Sequence, residues 1–262
     1  MQPHADLYLD RARADSFGAA ARLYDARRPR YPARLIDDLL MHGARRVLDV
    51  GAGTGIVSEQ LLARGVNVLA VEPDPRMAEV ARGKAIPIEI GTFESWDSTE
   101  RRFDLVVFGS SFHWVNPDVA LPKVHGLLSS GGRLALMWNH LVPTRPTRSD
   151  FAEIYRDYMD PGSHLVDGSS NGPIDTEHRT DGLIAAITAS GFTVEERTYP
   201  RDGHCSTEQW LDLAFTYSNH LVLTAEKASE LRTRLAERIG SQGVSVGGDT
   251  LLILARRTQE SG

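Results

Sequence analysis

The chain has 262 residues, of which 41% are hydrophobic and 24% charged, enough apolar material for the core of one enlarged α/β domain. Its formal net charge of -6 argues against a nucleic-acid partner, because a phosphate backbone repels an acidic surface. The chain has one cysteine, Cys205, which excludes an intramolecular disulfide and a multi-cysteine metal cage. No stretch approaches the roughly 18 apolar residues of a membrane-spanning helix. We therefore expect a cytoplasmic protein without a metal, an export signal or a membrane anchor.

The first half of the chain alternates short apolar runs with stretches of helical periodicity, which is typical of parallel strands joined by crossover helices. The N-terminal segment predicts helices on both sides of a proline-containing interruption at 28–32. Asn116 and the proline after it predict the start of one helix, and the small residues at 129–132 predict its end. The predicted strands are 46–50, 66–71, 86–90, 103–109 and 133–138, with helices at 55–64, 74–83 and 117–128.

The alternation stops after the fifth strand. Residues 141–180 are rich in Pro, Gly, Ser, Thr and Asp, which indicates a loop or lid insertion with one short helix near 150–159. The pattern then predicts a helix at 181–190, a strand at 192–199, a helical stretch at 207–239 and a last strand at 250–255. We therefore expect one domain made of an N-terminal helical lid segment (1–45), a core (46–139), an insertion (140–180) and a C-terminal part with a helical cap (181–262).

The most informative stretch is VLDVGAGTG, in which an apolar strand runs into three glycines at alternate positions, Gly51, Gly53 and Gly55. Glycines allow a positive φ and let a ligand approach the main chain closely. The GxGxG spacing differs from the GxGxxG of dinucleotide sites, whose third glycine serves helix packing around a pyrophosphate. The turn therefore predicts a site for a nucleotide-like ligand that has no pyrophosphate.

Acidic residues at the ends of the next strands extend this predicted site. Glu72 lies 17 residues after the last glycine, where a carboxylate can accept hydrogen bonds from both ribose hydroxyls. Glu94 is predicted to meet an adenine amine while Phe93 packs near the ring, and a solvated surface carboxylate is the alternative for Glu94. Asp49, inside the first strand, is predicted either to orient the glycine loop through backbone amides or to contact the ligand.

These motifs resemble the class I S-adenosylmethionine-dependent methyltransferases, and more closely the type 11 and trans-aconitate methyltransferase-like small-molecule enzymes. The stretches that carry the resemblance are VLDVGAGTG, VEPDPRM, GTFESW, SFHWV and LLSSGGRL. The resemblance implies a Rossmann-like α/β fold with helices on both faces of a seven-stranded, mostly parallel sheet whose last strand is antiparallel. It also implies S-adenosylmethionine as the cofactor. Ser110 departs from the family pattern, since many relatives carry Gln at that position.

The motifs and the resemblance together predict the residues that contact the cofactor. They are Asp49, Gly51, Ala52, Gly53, Gly55, Glu72, Pro73, Met77, Thr92, Phe93, Glu94, Gly109, Ser110, His113, Tyr24 and Tyr31.

The methyl acceptor is expected beside the tip of the fourth strand. His113 is predicted as a general base, because imidazole titrates near the working pH, and packing under the cofactor is the alternative. His140 is a weaker candidate for the same role. Trp114, Trp138 and Arg28 are predicted to contact the acceptor, and the alternative for the arginine is a solvated basic turn.

The predicted reaction is SN2 transfer of a methyl group to an O, N or C nucleophile of a small molecule. The sequence leaves the acceptor open and allows a monomer or a homodimer. A non-catalytic S-adenosylmethionine-binding protein is the first alternative. A nicotinamide-dependent oxidoreductase is disfavoured by the glycine spacing and by the lack of a Tyr-x-x-x-Lys pair. A nucleic-acid methyltransferase is disfavoured by the acidic net charge and by the lack of an Asn/Asp-Pro-Pro-Tyr/Phe tetrapeptide.

Overall fold

The protein is described from a computed structural model, which covers residues 7–160, 163, 165–166 and 176–258. Its strands are β1 (Arg46–Val50), β2 (Asn67–Glu72), β3 (Ile88–Ile90), β4 (Phe103–Gly109), β5 (Leu128–Arg145), β6 (Phe192–Cys205) and β7 (Val244–Arg257). Its helices are α1 (Arg11–Ala14), α2 (Ala21–Arg27), α3 (Ala33–Leu40), α4 (Ile56–Leu62), α5 (Pro75–Gly83), α6 (Pro117–Leu127), α7 (Arg148–Tyr155), α8 (Thr176–Ala189), α9 (Thr207–Ala214), α10 (Ser218–Leu221) and α11 (Ala225–Ile239). Short 3-10 turns lie at Leu7–Leu9, Phe17–Ala20, Phe112–Trp114 and Gly240–Gln242.

The strands form one sheet in the order β3-β2-β1-β4-β5-β7-β6. The first five run parallel, and β7 runs antiparallel to both of its neighbours. Successive strands are added to one side of β1 up to β3 and to its other side from β4 onward. The strand order therefore reverses between β1 and β4, and a crevice opens there at the carboxyl ends of the strands. The predicted Rossmann-like fold with an antiparallel last strand is confirmed.

Helices cover both faces of this sheet because alternate strand residues point to opposite sides. On β1, Leu48 and Val50 join a core that includes Val124 of α6, whereas Val47 joins a second core that includes Leu35 of α3. Both cores are closed to water. The sheet therefore holds the tips of β1, β2 and β4 in fixed positions.

The last three strands are longer than the sequence pattern predicts. β5 has 18 residues and pairs with β7 as far as Arg145, so the predicted start of the insertion at residue 140 is wrong. The composition of residues 141–180 favoured a loop, and it includes Pro143, which has no N–H to donate to a neighbouring strand. A shift in register between Pro143 and Arg145 accommodates it within the strand. Within the predicted insertion, residues 161–162, 164 and 167–175 lie outside the described residues.

A helical cap packs on the extended ends of β5, β6 and β7. Its apolar cluster includes Phe151 of α7, Trp210 of α9, Leu235 of α11 and Val246 of β7. The predicted helical stretch at 207–239 is thus three helices, α9, α10 and α11. None of the helices within the described ranges is long and apolar enough to cross a bilayer.

Candidate active site

A cavity of about 280 Å³ lies at the crevice between β1 and β4. It is lined by the glycine turn after β1, the tip of β2, the loop after β3 and the residues that follow β4 and β5. Every site residue predicted above lines this cavity except Gly55. The fold therefore brings together residues from Tyr24 to His140 that are distant in sequence.

The glycine turn exposes its main chain to the cavity. Gly51 and Gly53 have φ values of +62° and +58°, which residues other than glycine rarely adopt. A Cβ atom at Gly51 would lie 2.6 Å from Cβ of Ser111. The turn is fixed by the amides of Gly51 and Ala52, which donate to the carbonyl of Val71 at 2.8 and 3.1 Å. The lack of a side chain at Gly51 therefore lets the turn pack against Ser111 while its main chain lines the cavity.

Gly55 has a packing role and does not line the cavity. It precedes α4 with a φ of +80°, and a Cβ atom there would overlap the side chain of Ile86 and lie 3.3 Å from Cβ of Ala81. The residue therefore allows α4 to approach α5 and the β3 region. Close helix packing is the role that the third glycine of a dinucleotide fingerprint plays, so the GxGxG turn retains it at a shorter spacing.

Gly55→Ala is expected to lower the free energy of unfolding by about 2–4 kcal/mol, because it adds steric overlap to the strain of a positive φ. Gly65→Ala is the matched control, since Gly65 has a φ of +78° at the other end of α4 but nothing within 4 Å of its Cβ position. The control is expected to cost only about 1–2 kcal/mol. Urea denaturation measures both values, and equal losses in the two variants would contradict the packing role.

The carboxyl group of Glu72 is buried beside the glycine turn, with the residue 6% exposed. Its Oε2 accepts a hydrogen bond from the amide of Gly53 at 2.8 Å, and its Oε1 accepts one from the amide of Asp74 at 3.0 Å. Burial raises the pKa of Glu72 to about 7, and these two hydrogen bonds lower it by less. Each oxygen retains acceptor capacity for a further donor in the cavity.

Asp49 is buried below the same turn. Its Oδ2 accepts hydrogen bonds from the amide and the hydroxyl of Ser58 at 3.0 and 2.6 Å, so it fixes the start of α4. The prediction that it orients the glycine loop is wrong, because Glu72 makes that contact. Among the described residues, Oδ1 of Asp49 is buried without a hydrogen-bond partner, and burial raises the pKa of this carboxyl to about 6. An orphaned buried acceptor at the cavity wall would be satisfied by a ligand that donates.

The loop after β3 forms the opposite end of the cavity. Phe93 is buried and packs edge-on against Phe108 at 5.6 Å between ring centroids. Glu94 is half-buried, and its Oε1 accepts a hydrogen bond from the amide of Asn116 at 2.9 Å. Lys123 of α6 donates to the carbonyls of Phe93 and Glu94 at 2.7 and 3.3 Å. The loop is thus tied to α6, and Glu94 is not a solvated surface carboxylate.

Ser110 connects the tip of β4 to the N-terminal segment. Its φ is +55°, and its hydroxyl lies 3.1 Å from the hydroxyl of Tyr31. Burial raises the pKa of Tyr31 well above its usual range, so the phenol stays protonated. The structure therefore gives Ser110 a hydrogen-bonding role that the sequence left open.

The N-terminal segment lies over the cavity. The ring of Phe17 packs edge-on against Tyr24 and Trp114, with centroids 5.9 and 5.8 Å apart. The guanidinium of Arg28 lies 4.7 Å from the ring centroid of Tyr24 and 3.9 Å from that of Tyr217. Its Nη2 donates to the carbonyl of Thr216 at 2.9 Å, so Arg28 is clamped to the helical cap and is not a solvated basic turn.

The two candidate histidines have different partners. His113 accepts a hydrogen bond at Nδ1 from Nε1 of Trp138 at 3.5 Å. His140 places its Nδ1 3.3 Å from Oδ1 of Asp249 on β7. Sequence reasoning missed Asp249, although the pair of glycines before it marks a special backbone position. Whether either histidine acts as a base stays a prediction.

A glycine turn after β1, an acidic residue at the tip of β2 and an antiparallel seventh strand are the features of a Rossmann-like methyltransferase fold. A protein-family model described as a methyltransferase domain matches residues 48–136. The chain is 45% identical over 127 residues to an uncharacterised methyltransferase of Mycobacterium bovis, a match that covers 47% of this chain and 52% of that protein. It is 28% identical over 224 residues to an uncharacterised methyltransferase of Schizosaccharomyces pombe, covering 82% and 84%.

A solved structure shares the whole fold at low sequence identity. It is phosphoethanolamine N-methyltransferase 2 of Haemonchus contortus with phosphomonomethylethanolamine and S-adenosylhomocysteine, at 13% identity and a TM-score of 0.54, covering 97% of this chain and 60% of that one. The Mycobacterium match spans about half the length of that relative. These findings show that residues 48–136 match a methyltransferase domain, that the chain is similar to methyltransferases, and that it shares their Rossmann-like fold.

Proposed function

We propose that the protein binds S-adenosylmethionine in this cavity and transfers its methyl group to a small-molecule acceptor. The observation that carries the proposal is the buried carboxylate of Glu72, held by the amide of Gly53 beside an exposed glycine main chain. The orphaned Oδ1 of Asp49 adds an acceptor at the same wall. Hydroxyl donors on a ribose, or an amino group, fit such acceptors.

Each part of the cavity has a proposed role toward the cofactor. Glu72 accepts from the ribose hydroxyls, the turn at Gly51 and Gly53 admits the ligand to the main chain, and the loop with Phe93 and Glu94 receives the adenine. The remaining proposed contacts are Ala52, Pro73, Met77, Thr92, Gly109, Ser110, His113, Tyr24, Tyr31 and Asp49. Bound S-adenosylmethionine supplies a methyl group activated by its sulfonium.

The contribution of the chain to the reaction is alignment and exclusion of water. Holding two reactants in line can lower a barrier by roughly 7–11 kcal/mol in well-oriented cases. The N-terminal segment with Phe17 covers the cavity, and Trp114, Trp138 and Arg28 surround the proposed acceptor position. The structural relative that contains S-adenosylhomocysteine with a small phosphorylated amine supports a small-molecule acceptor.

Calorimetry is expected to show S-adenosylhomocysteine binding in the micromolar range, which corresponds to about -8 kcal/mol. Turnover is then measured as S-adenosylhomocysteine release over a panel of carboxylic acids, phenols, hydroxyquinolines and amines. The absence of both binding heat and a thermal shift at millimolar cofactor would contradict the proposal. Binding without turnover on any acceptor would favour the non-catalytic alternative.

A further inference from the structure

Lys123 of α6 is held against the loop that joins β3 to β4. Its ammonium group has three N–H donors, which meet three carbonyls of this loop, those of Phe93 at 2.7 Å, Glu94 at 3.3 Å and Trp96. The nitrogen also lies 5.1 and 5.6 Å from the ring centroids of Phe93 and Trp96. Burial lowers the pKa of Lys123, and the carboxylates of Glu94 and Asp97 act against this. All the hydrogen-bonding capacity of this half-buried charge is therefore used to fix one loop.

A second anchor, on β3, holds the far part of the same loop. Nε1 of Trp96 donates to Oε2 of Glu89 at 2.5 Å, and the guanidinium of Arg101 donates to both carboxylate oxygens of Glu89 at 2.7 and 3.1 Å. Residues 91–94 line the cavity, whereas Trp96 and Arg101 do not. Of the two anchors, the one at Lys123 therefore bears directly on the cavity wall.

Glu94 presents a donor and an acceptor at this wall. Its Oε1 accepts a hydrogen bond from the amide of Asn116, the N-cap of α6, whereas its Oε2 accepts none among the described residues. The carbonyl and the amide of a trans peptide unit point in opposite directions, so the bond from Lys123 to the carbonyl of Phe93 directs the amide of Glu94 away from the lysine. Within the described part of the chain this amide donates no hydrogen bond. One donor and one acceptor of Glu94 thus remain for a ligand.

We infer that Lys123 is a positioning residue for recognition of the adenine base and acts through the amide and the carboxylate of Glu94. This inference rests on the proposed function of the cavity. Adenine carries an amine donor at C6 beside an acceptor at N1, which matches a carboxylate beside an amide donor. Hypoxanthine carries an acceptor at C6 beside an N–H donor at N1, which is the reverse pattern. Lys123 therefore sets the preference of the cavity for adenine over hypoxanthine.

Calorimetry with S-adenosylhomocysteine and with S-inosylhomocysteine, its deaminated analogue, measures this preference. The wild-type protein is expected to bind the adenine compound at least about tenfold more tightly, because a mismatched base leaves the polar groups of Glu94 unpaired. Equal binding of the two compounds would overturn the inference.

Lys123→Met removes the ammonium group but keeps an unbranched side chain against the rings of Phe93 and Trp96. We expect the Kd of S-adenosylhomocysteine to rise about tenfold or more and that of S-inosylhomocysteine to change by less than about threefold. Lys123→Arg keeps the charge and the N–H donors and is expected to restore part of the preference. Lys227→Met is the matched control, since Lys227 is exposed on α11 and its loss removes the same charge.

The two ligands share the ribose and the amino-acid part, so a lysine that only maintained the fold of the cavity would affect both equally. Equal weakening in Lys123→Met, or a preference as strong as in wild type, would overturn the inference and leave the proposed function standing. If Lys123→Met does not fold, Lys123→Arg decides, because a planar guanidinium cannot repeat the three bonds of an ammonium, and a full wild-type preference would then overturn the inference. A wild-type protein that binds neither compound would overturn both the inference and the proposed function.

Discussion

Glu72→Gln is expected to weaken S-adenosylhomocysteine binding by about 1.5–3 kcal/mol, roughly ten- to a hundredfold, since hydrogen bonds to a charged acceptor contribute that much. The amide of glutamine also places a donor opposite the N–H of either Gly53 or Asp74, both of which donate to Glu72. Calorimetry measures the change. Glu79→Gln is the control, because its side chain on α5 is 77% exposed.

The same carboxyl group predicts how cofactor affinity depends on pH. Burial raises the pKa of Glu72 to about 7 in the free protein, and ribose donors that bind the ionised form lower that pKa in the complex. Binding then releases a proton. Affinity is expected to rise about tenfold per pH unit below pH 7 and to level off above it, because the acid must first ionise.

Glu72→Gln is expected to remove this part of the pH dependence while keeping any part that comes from the ligand itself. Titrations at one pH unit below and one above pH 7 in both proteins give the difference. Parallel pH profiles, or an unchanged affinity in the variant, would show that the ribose does not bind at Glu72.

Local patterns were sufficient to predict the elements that carry the glycine turn. β1 and β4 begin and end where the sequence places them, because each is a mostly apolar run that ends at or just before a glycine. Most of the predicted site residues line one cavity for the same reason: the carboxyl ends of neighbouring parallel strands meet at one edge.

Contacts between distant segments could not be predicted in this way. Asp249 meets His140 through a register between strands 109 residues apart, and no local pattern specifies that pairing. The role of Gly55 depends on Ile86, which comes from another part of the chain. A glycine that packs a helix and one that admits a ligand look alike in sequence, because both lack a side chain.

The N-terminal segment is attached to the cofactor core by a contact that only glycine permits. Gly18 is buried in the turn Phe17–Ala20 and packs directly on the ion pair between Asp74 and Arg76. A Cβ atom at Gly18 would overlap both of these side chains. Arg76 also donates to the carbonyl of Asp15 at 2.9 Å. Docking at this point holds Phe17 against Trp114 over the cavity.

Gly18→Leu is therefore expected to displace the segment and to weaken S-adenosylhomocysteine binding about tenfold or more, a loss of at least about 1.4 kcal/mol. Trypsin should cleave faster near Arg11 and Arg13, because displaced backbone is open to proteolysis. Gly83→Leu is the matched control, since Gly83 lies on α5, where the segment docks, and has nothing within 4 Å of its Cβ position. If Gly18→Leu leaves affinity and cleavage unchanged, the segment is not a lid, and water must be excluded from the cavity by the helical cap through Tyr217 and its neighbours.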